Sequence, residues 1–168
     1  MASYSVKLVN HTRATDRLQQ SIKMHLQGLF DQVFDGTNDK AAVDWGTGAA
    51  SDSIVLHFVQ DVDHSYLSDK WPGNEIRADA GGHTRTRGKI SGSEFYFRSG
   101  GTHLHDVGYA KLAFHEALHN QFPGWSNDDL HGSKGGGGLA ASPPQLPMTD
   151  TNKEMMRRGL AVKNEQLL

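Results

Sequence analysis

Two histidines four positions apart, with a glutamate beside the first, set the tightest constraint on this chain: the run His115-Glu116-Ala117-Leu118-His119. On a helix, residues four apart share one face, so His115 and His119 can grip one metal ion together. Glu116, one position on, comes within reach of a water bound to that metal. Two neutral imidazoles and a carboxylate base at this spacing suit a metal that activates water. The plainer alternative is a pair of surface histidines on an amphipathic helix.

Composition narrows what else the chain can do. With 168 residues it has the length of one domain with a real core, so residues 1–168 are expected to form a single catalytic domain. The net charge is −2 and Lys and Arg are scattered, which predicts no nucleic-acid partner. No apolar run approaches the roughly 18 residues of a membrane span, so no membrane partner is expected. The start, Met1-Ala-Ser-Tyr-Ser-Val-Lys, shows no basic segment followed by an apolar one. A cytoplasmic chain, or one exported by a signal-less route, is the expectation. There are no cysteines, so any transition-metal site must be built from His, Asp or Glu, and the chain has 10 histidines. Nineteen glycines and a mean hydropathy of −0.57 describe a loop-rich, polar chain.

Periodicity predicts a mixed arrangement of strands and helices. Residues 4–9 read as a strand with Tyr4, Val6 and Leu8 on one face. Residues 13–34 read as a long helix with the stripe Leu18, Ile22, Leu26, Leu29, Phe30 and Val33. Thr12 or Thr15 caps its start, and Gly36 follows its end. Strands are expected at 42–45, at 53–60, where the run is continuously apolar, and at 94–98. Residues 61–92 read as irregular, with a short strand near Lys89-Ile90. The helix carrying the motif spans about 106–121, with Asp106 at its start and Pro123-Gly124 at its end. Ala110, Ala113, Phe114, Ala117 and Leu118 form an apolar face, so one side is expected to enter a core while the histidines line a cleft. Residues 125–147 contain Gly135-Gly136-Gly137-Gly138 and Pro143-Pro144, and read as an active-site loop with a mobile centre. A last helix covers about 151–165, with Thr151 and Glu154 at capping-box spacing. The fold class is therefore α+β: a small mixed twisted sheet on a long N-terminal helix and the motif helix, with a C-terminal helix.

A catalytic zinc takes three protein ligands and keeps one position for water. The segment Ser126-Asn-Asp-Asp-Leu-His-Gly132 offers the third. His131 is favoured because an imidazole matches the other two and Gly132 permits a tight path. Asp128 is the main alternative, and Glu154 on the last helix a more distant one. His103 and His105, just before the motif helix, read as loop histidines.

With this order of elements and the H-E-x-x-H helix, the chain resembles the zincin metallopeptidases, and among them a minimal metzincin. The resemblance covers most of the chain in element order and is specific over 115–131 and near 146–156. It implies one zinc ion per chain, held by His115 and His119, with Glu116 as general base. The metzincin continuation H-E-x-x-H-x-x-G-x-x-H is not kept, since Phe122 stands at the glycine position and Trp125 at the third histidine. Gly124 and His131 take those places in a longer loop. The resemblance also implies a methionine turn beneath the metal, and Met148, just before the last helix, is the candidate.

The implied activity is zinc-dependent endopeptidase hydrolysis of a peptide or protein substrate. No tyrosine follows Met148, so Tyr109, His103 and His105 are the candidate donors to the substrate oxyanion. An extended substrate is expected along a sheet edge formed by 89–98. Two alternatives stand beside this reading. One is a non-catalytic metal-binding module, a pseudo-enzyme. The other is a metal-dependent endoribonuclease with an H-G-x-L-H-L-x-G-Y-D-H pattern, of which this chain shares Leu118-His119 and a later Asp-x-x-His but has Glu116 in place of the glycine. Nothing in the sequence sets an oligomeric state.

Overall fold

Alternating apolar residues start the sheet. In β1 (Ser3–His11) Tyr4, Val6 and Leu8 are buried, and in β2 (Lys40–Trp45) Ala41 and Val43 are. The two strands run parallel with Val6 opposite Val43, so the chain must cross over between them. The helix α1 (Asp16–Val33) makes that crossing. Its cap is Thr15, whose side chain accepts from the Leu18 amide at 3.2 Å. Gly36 follows the helix at φ +77°, a backbone conformation that favours glycine. The expected stripe turns inward: Ile22, Leu26, Leu29, Phe30 and Val33 are buried and Leu18 is half-buried.

The computed structural model describes residues 1–11, 14–49, 51–60, 82–87, 90–97, 106–122 and 124–167. The alternative cap Thr12, and His103 and His105, lie outside these. The fold is mixed α+β. Five strands form one sheet in the order β2-β1-β3-β5-β4, with β3 (Ile54–Gln60) at its centre. β1, β2, β3 and β5 (Ile90–Phe97) are parallel, and β4 (Gly82–Arg87) is antiparallel to β5. Ile54, Val55, Leu56 and Phe58 are all buried, as a central strand covered on both faces requires. At the β2 edge, Gln27 of α1 acts as a partial extra strand. Its side chain accepts from the Val43 amide and donates to the Ala41 carbonyl, both at 2.8 Å.

The helix α2 (Asp106–Gln121) packs on β3, β4 and β5 and against α1. Phe30 and Phe114 join the two helices with ring centroids 5.3 Å apart. A short helix α3 (Asn127–His131) and two 3-10 turns, Ser133–Gly135 and Gly138–Ala140, lead to α4 (Asp150–Leu167). α4 packs on both α1 and α2, and its Arg157 donates through Nε to the Val33 carbonyl at the end of α1.

Four expectations need correction. β5 is interior, so 89–98 is not the edge; among the described residues the edge strands are β2 and β4. β4 has the sequence Gly-His-Thr-Arg-Thr-Arg, whose lack of apolar alternation hides it. The segment 125–147 lies beside the motif helix as expected but is more than a loop: it contains α3 and the two turns, and Leu130, Gly135, Leu139 and Ala140 are buried. The cap of α4 is Thr149, not Thr151. Thr149 Oγ1 accepts from the Asn152 amide and Asn152 Oδ1 from the Thr149 amide, each at 3.1 Å, while Glu154 is exposed and pairs with Arg158. Finally, α2 is buried on nearly every side and not on one face alone.

Gly28 lies mid-α1 with nothing within 4 Å of where a Cβ would stand. Gly28→Ala is expected to stabilise the protein by about 0.5–1 kcal/mol by removing unfolded-chain freedom. Phe30→Ala is expected to cost about 3–5 kcal/mol. Urea unfolding reads both, and an unmoved midpoint for Phe30→Ala would refute the α1–α2 packing.

Candidate metal centre

The helix α2 brings His115 and His119 to one side, as four-residue spacing dictates. His115 and Glu116 are buried, at 4% and 5% exposure, and His119 is half-buried. The third histidine arrives on α3. Its start is fixed by a capping box: Ser126 Oγ accepts from the Asp129 amide at 3.1 Å, and Asp129 Oδ2 accepts from the Ser126 amide at 3.3 Å. Those bonds hold the Asp129 carboxyl below the usual range. Leu130 is fully buried and anchors the short helix, which leaves His131 facing α2. Phe122 and Trp125, with rings 4.8 Å apart, pack on the core where the chain turns between the two helices.

The three rings meet at their Nε2 atoms. His131 Nε2 lies 3.1 Å from His115 Nε2 and 3.2 Å from His119 Nε2. The protonation of His115 follows from its other nitrogen. Nδ1 is 2.9 Å from the Leu139 carbonyl oxygen, which can only accept. His115 therefore donates from Nδ1 and presents the lone pair of Nε2. A single proton on His131 Nε2 cannot satisfy two facing imidazoles fully, whereas one cation satisfies all three. Two nitrogens bound tetrahedrally at 2.0–2.1 Å to an ion of zinc's size lie about 3.3 Å apart, close to what is observed. His115, His119 and His131 thus form a group that could hold one metal ion.

Burial pushes the His115 imidazolium down to about 4, partly opposed by the Leu139 carbonyl and reinforced by His131. Burial also lowers His131, with Asp128 opposing. Both rings are then neutral near pH 7, the form that ligates.

The remaining candidates fall as follows. Asp128 is exposed and outside the cluster; it acts on His131 only through its charge. Glu154 points to solvent on α4. Met148 is buried in the core beside the start of α4, as are Met155 and Met156. Tyr109 is buried in the core two turns before Glu116, and burial raises its hydroxyl above the usual range. Two residues escaped the sequence reading: Leu139, whose carbonyl orients His115, and Asn152, which binds the Leu139 amide at 3.0 Å. The only sequence signal for Asn152 was its spacing three residues after Thr149. No family model, curated protein or solved structure matches this chain.

In the metal-free protein His115 titrates at about 4 folded and near 6.5 unfolded. The unfolded chain therefore binds the extra proton first. This stabilisation is fully present above pH 6.5 and is lost as pH falls through that window to 4. The expected loss is on the order of 3 kcal/mol. Urea unfolding in chelator at several pH values should show this slope in wild type and a shallower one in His115→Asn.

Proposed function

We propose that this chain is a zinc-dependent endopeptidase of the zincin type. The observation that carries the reading is the convergence of three Nε2 atoms, with His115 held in the ligating tautomer, on the helix that also bears Glu116. The element order adds support, since a strand, a long helix, further strands, the H-E-x-x-H helix and, after the 127–140 segment, a C-terminal helix follow one another in the order of the zincin resemblance. His115, His119 and His131 would hold the zinc. Bound zinc supplies Lewis acidity, lowering the pKa of water toward about 7 and polarising a carbonyl. Glu116 takes the proton from the attacking water and delivers it to the leaving amine. The surrounding burial of α2 keeps this carboxylate in a medium where its charge acts strongly. An extended peptide finds main-chain partners along β4, the edge strand against which α2 packs.

A non-catalytic metal module is the second reading, favoured by the near-complete burial of His115 and Glu116, because structural sites are closed and catalytic ones open. Metal analysis by mass spectrometry decides the ligands. Wild type and Asp128→Ala are expected to carry one zinc per chain, and His131→Ala is expected to lose it. A fluorogenic peptide library then separates the two readings. Glu116→Gln should keep the zinc while hydrolysis falls about 10²- to 10⁴-fold. Hydrolysis undiminished in Glu116→Gln would sink the mechanism, and zinc bound without any hydrolysis in wild type would favour the closed structural site.

A further inference from the structure

Asn152, in the first turn of α4, is fully buried and uses every hydrogen-bonding position of its amide. Oδ1 accepts from the Leu139 amide at 3.0 Å and the Thr149 amide at 3.1 Å. Nδ2 donates to the Gly135 carbonyl at 2.9 Å and the Gly137 carbonyl at 3.0 Å. All four partners are main-chain groups of fixed polarity, so the orientation of the amide is decided by its surroundings. The glycines let the loop come this close. A Cβ on Gly138, already at φ +56°, would stand 2.7 Å from Asn152 Oδ1, and one on Gly135 would strike the Leu130 carbonyl. The strap 135–139 is therefore pressed between α3, which bears His131, and α4.

The far end of the strap is Leu139. Its amide is held by Asn152, and its carbonyl receives the Nδ1–H of His115. The chain of contacts runs from α4 through one residue of the strap to a ring of the metal group. Partners that hold the second nitrogen of a ligating histidine set its tautomer and its aim.

We infer that Asn152 is a positioning residue for the metal centre, holding the Leu139 carbonyl on which the His115 ring is oriented. The inference rests on the reading of His115, His119 and His131 as ligands. Asn152 touches neither metal nor substrate and acts only through Leu139.

The test uses the full chain and zinc alone. Zinc affinity is measured by competition with a chromogenic chelator. The tautomer of His115 is read in the metal-free protein from long-range proton–nitrogen correlations of the imidazoles. Asn152→Ala is expected to weaken zinc binding about 10- to 100-fold and to admit the Nε2–H tautomer of His115. Gly138→Ala, a second route to displacing the strap, is expected to move both readouts in the same direction. Met156→Ala, equally buried on α4 but outside these contacts, is the control: it lowers the thermal midpoint and leaves affinity and tautomer at wild-type values. Wild-type affinity and tautomer in both Asn152→Ala and Gly138→Ala would overturn the role of Asn152 while leaving the metal centre standing. An equal loss of affinity in Met156→Ala would also overturn it, since any destabilisation would then suffice. A wild-type chain that takes up no zinc overturns the ligand reading and this role together.

Discussion

Everything around the site answers one constraint: α2 carries His115, Glu116 and His119 through the interior of the molecule. Polar groups removed from water need partners or they cost several kcal/mol each. The sheet and α1 cover the apolar side of the helix with Phe30, Phe58 and their neighbours. The polar side demands something that apolar packing cannot supply, and the segment from α3 to the start of α4 supplies it. A ring, a carbonyl and a capped turn meet the imidazoles there.

That covering segment is held by hydrogen bonds to its main chain, from its own backbone and from a few side chains. Its glycines matter because they have no side chain, which permits contact with Leu130, Thr151 and Asn152 at distances a Cβ would forbid. One buried amide then satisfies four main-chain groups that would otherwise face the interior unpaired. The loop is ordered by satisfaction of its own polar atoms together with apolar anchorage from Leu130, Leu139, Ala140 and Met148. A glycine run that reads as slack is here a consequence of close packing.

Much of this was legible beforehand where the code is local. The stripe of α1, the ends of α2 and the continuous apolar run of β3 all follow from period and punctuation within a few residues. His131 was legible for a chemical reason, as an imidazole that matches the other two and stands one residue before a glycine. β4 was not, because its pairing is carried by backbone and its side chains have no apolar alternation. The apolar face expected of α2 is buried, but the expectation that its other side lines a cleft failed for a related reason. Its polar face is covered by residues 127–140 and by α4, and periodicity within the helix contains no information about what arrives from elsewhere in the chain.

The sequence by itself determined that two imidazoles share a helical face beside a carboxylate, because i and i+4 positions are neighbours on any α-helix. It also excluded cysteine ligands and narrowed the third ligand to a handful of residues. Only the tertiary structure decided that His131 and not Asp128 joins the pair, that β4 holds the sheet edge, and that His115 presents Nε2. The reason is physical. A carbonyl is present at every residue, so no letter of the sequence could single out Leu139, and the bond that orients His115 exists only once the strap is closed between α3 and α4.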